Sequence, residues 1–255
     1  MDVTTTDGTT LFAQAAGDGE TVTFVGDAGY GAWQWGWQHA ALTGPFETLV
    51  YDHRGVGRSE KPPGPYSVEQ LADDLEAVLS AHGARKTHLV GAGLGGMVAL
   101  DYARRYARAR TLTLLGTAAR GAGIDTSPLA ADPTDEAAIR ASLDHALSAD
   151  FVGAYDEVVD QIVQWRASDD ASLAGWAAHQ AAVEGFDADP LYEISLPTLV
   201  AHGTADEVWP AAGGEHLADG LPNATHCNLD GAGHLCHVEQ SRILNDELIG
   251  FLEVA

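Results

Sequence analysis

The chain has 255 residues, 37 of them acidic against 13 basic, for a formal charge of −24. Such a surface repels nucleic acid and anionic membranes, and no apolar run approaches the roughly 18 residues that a membrane helix needs. The length suits one large α/β domain with a sizeable core, or two small ones, and no low-complexity linker divides it. The opening MDVTTTDG lacks the charged start and apolar run of a secretory signal, so the expectation is a soluble, cytoplasmic protein.

Extended segments are expected at 9–16 and 21–25, and the second runs into FVGDAGYGAWQWGW. A third, at 48–51, precedes the glycine-rich turn YDHRGVGRS. A helical pattern follows at 68–81. The buried strand at 87–90 leads through LVGAGLGG into a helix at 97–107, and a further strand is expected at 111–115. Strand signals then stop: 135–186 reads as a run of helices rich in Ala, Asp and Trp, so 121–189 is taken as a helical insertion, with 1–120 and 190–255 forming one core domain. Strands return at 198–201, before HGTADEVWP, and at 225–229, before LDGAGHLCHVEQ; a last helix is expected at 238–252. Alternating strands and helices argue for a mainly parallel sheet covered on both faces.

Cys227 and Cys236 do not suggest a disulfide framework. With His226, His234 and His237 they invite a metal reading, but the spacing fits no common zinc pattern, and neither metal nor cofactor is expected.

Four stretches together resemble the α/β-hydrolase superfamily in its capped form, over nearly the whole chain. LVGAGLGG is similar to the nucleophile elbow G-x-S-x-G, with Gly91 and Gly95 in place and Gly93 at the serine position. YDHRGVGRS looks like the family's structural D-x-R-G-x-G-x-S turn. HGTADEVWP ends a strand where the family presents its acid, which the resemblance assigns to Asp206. LDGAGHLCHVEQ is similar to the loop before the last helix and makes His234 the catalytic histidine. The order nucleophile, acid, histidine is the one this fold uses.

The resemblance implies an α/β-hydrolase fold with 121–189 as cap and an oxyanion hole made by the backbone N–H groups of Ala28 and Leu94. Three positions depart from the pattern: Gly26 stands for His, Asp27 for Gly and Gly93 for Ser. Gly93 cannot attack anything, which excludes ordinary acyl-serine catalysis. Asp27 reads either as a group that positions water or acts as a second acid or base, or as an Asx-type turn or a cap on the following YGAWQWGW. Tyr30 and Trp33 are candidates to line the pocket, and Trp165 and Trp176 to close over the ligand; such a pocket suits a small, uncharged or weakly acidic organic molecule.

Three functions stay open. The first is an enzyme without nucleophilic serine, in which His234, held by Asp206, is the general base for ester or lactone hydrolysis or related chemistry. The second is a binding protein for a small molecule, and the third a serine esterase carrying a Ser-to-Gly change. The expected partner is a small-molecule substrate, with a homodimer left open. Only two lysines, Lys61 and Lys86, stand against the acidic residues, and this composition looks like that of proteins from salt-loving microorganisms.

Overall fold

The computed structural model describes all 255 residues. Eight strands form one sheet: β1 (Asp2–Thr4), β2 (Thr10–Ala16), β3 (Thr21–Val25), β4 (Glu47–Tyr51), β5 (Thr87–Ala92), β6 (Ala109–Leu115), β7 (Thr198–Gly203) and β8 (Ala224–Leu229). Their spatial order is β1-β2-β4-β3-β5-β6-β7-β8. β2 is antiparallel to both neighbours, and every pairing from β4 to β8 is parallel. Strands β3 (TVTFV) and β5 (THLVGA) are buried along their whole length, as residues covered by helices on both faces must be. Seven strands match the expected segments; β1 was not anticipated, because three residues carry too little alternation to register.

Ten helices complete the chain: α1 (Gly36–Leu42), α2 (Val68–His82), α3 (Leu94–Arg105), α4 (Glu136–Ala146), α5 (Ala149–Ala154), α6 (Asp156–Asp169), α7 (Leu173–Glu184), α8 (Ala211–Gly220), α9 (Cys236–Glu239) and α10 (Ser241–Val254). Helix α2 starts where the Ser67 hydroxyl accepts from Gln70 N–H at 3.2 Å, an N-cap that satisfies one orphan donor of the first turn. Its Leu71, Leu75, Val78 and Leu79 then fall on one buried stripe. They join Leu89, Leu112 and the α3 residues Met97 and Leu100 in a core on one face of the sheet. Trp35 and Leu42 from the α1 region, with Leu244, Leu248 and Leu252 of α10, cover Phe24 and Val90 on the other face.

The DHRG turn has the structural role expected of it. The Arg54 guanidinium donates two bonds of 2.6 Å to Asp74 on α2 and one of 2.8 Å to Asp7, and the Asp52 carboxylate accepts from Arg58 N–H at 3.0 Å. Helices α4–α7 all lie between β6 and β7. They bond to loops that follow the strands: Gly57 N–H donates to Asp169 O, Ala171 N–H to Gly29 O, and Leu235 N–H to Ala146 O, each at 2.8 Å. No helix is long and apolar enough to cross a membrane.

Candidate active site

Four loops at the carboxyl ends of parallel strands converge, the place where open α/β sheets bind ligands. β5 runs into Gly93, whose φ of 49° and ψ of −116° form the sharp turn into α3. Glycine adopts this backbone without the Cβ penalty other residues meet. Thr117 Oγ1 donates to Gly93 O at 2.6 Å and Gly93 N–H to Leu115 O at 2.9 Å, so the elbow is fixed from β6.

Asp206 follows β7. Its Oδ1 accepts from Val208 N–H at 3.0 Å and Trp209 N–H at 2.9 Å, which aims Oδ2 at His234 Nδ1, 2.8 Å away. The Trp209 indole lies nearly parallel to the imidazole, 9° between planes and 6.1 Å between centroids. The acid–histidine pair thus has triad geometry, with the aspartate setting the orientation of the ring.

The other ring nitrogen meets a second carboxylate. His234 Nε2 lies 2.7 Å from Asp27 Oδ2, while Asp27 Oδ1 accepts from Ala28 N–H at 2.6 Å and from Leu94 N–H at 2.7 Å. Those two amides are the expected oxyanion hole, and the Asp27 side chain occupies it. Carboxylates accept at both nitrogens, so the bonding is that of an imidazolium. Burial works against the charged ring, but it is outweighed by the attraction of and bond to Asp206 and by the bond and charge of Asp27, and the His234 pKa is raised to about 10. Burial likewise opposes the Asp206 carboxylate, yet His234 and the bonds it receives hold its pKa well below the usual range.

A β-carbon at Gly93 would lie 2.6 Å from Asp27 Oδ2 and closer still to Oδ1. The Asp27 carboxylate and a side chain at position 93 therefore claim the same volume.

The loop carrying Asp27 is tied from two sides. His53 Nε2–H donates to Gly26 O at 2.9 Å. From α7, His179 Nδ1 accepts from Gly29 N–H at 2.9 Å, with its Nε2–H donating to Arg54 O at 3.0 Å; burial pushes its pKa down to about 3, so the ring is neutral as this bonding requires. Asp170 Oδ1 accepts from Gly31 N–H at 3.1 Å and Trp33 Nε1–H at 2.8 Å, and its Oδ2 from the buried Arg166 at 2.6 Å.

Trp176 packs flat against Gly29, where a β-carbon would overlap its ring, and stands edge-on to Tyr30 at 5.1 Å. It also lines an apolar recess of about 220 Å³ with Leu173 and Gln180. Tyr30, Trp33 and Trp176 thus gather over the oxyanion loop. Trp165 does not: it is 37 % exposed and packs edge-on to Trp37. Its expected place over the ligand is corrected, because on α6 the buried stripe runs through Val159, Ile162, Val163 and Arg166 and leaves Trp165 outside it. No group of three His, Cys, Asp or Glu side chains is placed to hold a metal ion.

Asp170, His179 and Trp209 were not singled out from the sequence. Trp209 carried a usable signal, an aromatic three residues beyond the acid; His179 and Asp170 lie in the helical run and carried none.

The family model of serine aminopeptidase, S33, matches residues 41–241. A protein of Agrobacterium fabrum, provisionally named carbamate hydrolase RutD, is 31% identical, with 92% of this chain and 94% of that one covered. The crystal structure of the enol-lactonase from Burkholderia xenovorans LB400 superposes with a TM-score of 0.89 at 27% identity, over 99% of this chain and 100% of that one. A hydrolase from Pseudomonas aeruginosa gives 0.87 at 31% identity, over 99% and 97%. The chain belongs to the serine aminopeptidase S33 family and is a hydrolase of the α/β-hydrolase superfamily.

Proposed function

We propose that the protein hydrolyses a small carbonyl compound of the ester, lactone or carbamate class by direct attack of water, with no acyl-serine intermediate. The observation that carries this reading is that His234, oriented by Asp206, and the N–H groups of Ala28 and Leu94 meet on one carboxylate, that of Asp27, beside residue 93, which has no side chain. The names of the similar proteins, a carbamate hydrolase and an enol-lactonase, support the substrate class.

In this mechanism the Asp27 carboxylate first leaves the two amides and His234 Nε2, the ring releasing its extra proton to solvent, and the substrate carbonyl oxygen then accepts from Ala28 and Leu94 N–H. A water beside Gly93 gives one proton to His234 Nε2 as its oxygen bonds to the carbonyl carbon. The two amides hold the resulting oxyanion. His234, kept in register by Asp206, then passes the proton to the leaving oxygen or nitrogen as that bond to carbon breaks, releasing an acid and an alcohol or amine. Helices α4–α7 serve as the cap, with Trp176 and Tyr30 closing the site from water.

The test is steady-state and pre-steady-state hydrolysis of a nitrophenyl ester and a nitrophenyl carbamate. The expected result is turnover without an acyl-enzyme burst, reduced about 10²–10⁴-fold in His234→Gln. Equal rates in the parent and His234→Gln would overturn the reading.

A further inference from the structure

The oxyanion hole of this hydrolase already holds a carboxylate. In ester or amide hydrolysis the hole takes one oxygen of the reacting carbon, and the histidine faces a second oxygen on that carbon. The Asp27 carboxylate spans the same two anchors: Oδ1 on Ala28 and Leu94 N–H, Oδ2 on His234 Nε2, all at 2.6–2.7 Å. It occupies the position of a bound carboxylic acid product, and it belongs to the protein.

We propose that Asp27 is a displaceable resident ligand of the oxyanion hole, so that the site admits substrate by exchange and, with Asp27 withdrawn, binds small monocarboxylates of the formate and acetate type. This rests on the hydrolytic reading only for the word substrate; the exchange stands on the geometry.

Three observations carry it. The carboxylate competes directly for the hole, because no substrate oxygen can reach Ala28 and Leu94 N–H while Oδ1 accepts from both. The loop is anchored on either side of Asp27, where His53 holds Gly26 O and His179 holds Gly29 N–H. The backbone N–H of Asp27, at 3.3 Å from Gln34 Oε1, is only weakly tied. Finally, residue 93 is glycine where any β-carbon would strike this carboxylate, so an occupied hole and a side chain at 93 are mutually exclusive.

Exchange also changes what His234 can do. With Asp27 against Nε2 the ring keeps its proton at neutral pH and cannot take another from water. A neutral carbonyl in the hole removes that second carboxylate and lowers the pKa of the ring, while Asp206 still favours its charged form. An anionic ligand restores the original charge pattern, which is why carboxylates are the fitting class.

The decisive variants are Asp27→Gly and Asp27→Ala, followed by the imidazole ¹⁵N shifts of His234. In either variant the titration moves down toward the usual histidine value of about 6.5, and added sodium acetate or formate returns it upward. Freeing two hole donors raises kcat/KM for the nitrophenyl ester by about 100-fold, with acetate now a competitive inhibitor. A loss of hydrolysis in both variants matching that of His234→Gln would overturn the proposal, because Asp27 would then be part of the catalytic machinery. Absence of any acetate effect on His234 would overturn it as well. If neither parent nor variant hydrolyses anything while acetate still shifts His234, the carboxylate subsite stands and the hydrolytic reading falls.

A second pair of variants bears on the steric argument without needing native activity. Gly93→Ser alone is expected to resist a fluorophosphonate probe, and Gly93→Ser with Asp27→Gly to label on the serine. Equal labelling of the two would show that Asp27 does not hold the place, and would overturn the proposal.

Discussion

His234 donates to a carboxylate from each ring nitrogen, and this sets how stability responds to pH. Its folded pKa of about 10 lies above the unfolded value of about 6.5. The stabilisation is therefore complete below pH 6.5, declines between 6.5 and 10, and is gone above 10. Each pH unit in that window costs on the order of 1 kcal/mol. Urea melts across the range are expected to show a midpoint that falls from pH 7 to 10 in the parent and hardly moves in His234→Gln. At the same scale, Arg166 is fully buried, with bonds to Asp170, Ser142 and Leu129 O. Arg166→Met leaves the buried Asp170 uncompensated, and a loss of about 3–5 kcal/mol is expected by chemical denaturation. Motifs made Asp206, His234 and Gly93 legible, because each is presented by a turn of characteristic sequence. The contact between Asp27 and the hole was not, since a sequence shows where a carboxylate attaches but not which rotamer its neighbours select.

At the scale of elements, the loop from Gly26 to Gly31 and helix α7 hold each other through one neutral histidine. His179→Ala strands the Gly29 N–H and the Arg54 carbonyl in a buried place. A loss of about 1–3 kcal/mol is expected, with faster amide hydrogen exchange at Gly29 as the local measure. His179→Phe, which keeps the volume and loses both bonds, should cost as much; a near-parental result would mean that packing rather than bonding fixes the loop. The helix expected at 68–81 matches α2 closely, because Ser67 caps it and its apolar residues recur at the helical period. The expected 238–252 corresponds to α9 and α10 together, with Gln240 at φ −114° and ψ 39° breaking the pair. Nothing in the local composition marks that break.

Over the whole molecule, charge dominates. Eight of the arginines, Arg54, Arg104, Arg105, Arg108, Arg110, Arg120, Arg140 and Arg166, already have acidic partners, so few cations are left for the other acidic residues at the surface, and the net charge is −24. Raising ionic strength from about 0.01 M to 1 M contracts the Debye length from about 30 to 3 Å and screens that repulsion. The melting temperature is expected to rise along a KCl series; a fall would mean that surface ion pairs outweigh the net repulsion. The parallel sheet was legible from alternating strand and helix signals, whereas the placement of β3 between β4 and β5 depends on contacts far apart in the chain.

Successive amides of the oxyanion loop face opposite ways: Ala28 N–H serves the hole, while Gly29 and Gly31 N–H bond to His179 and Asp170 of the inserted helical segment. A change in the hole and a displacement of those helices would therefore act on one shared strip of backbone. A ligand that binds better when the helices are docked must hold them down by the same factor, and loosening them must weaken the ligand equally.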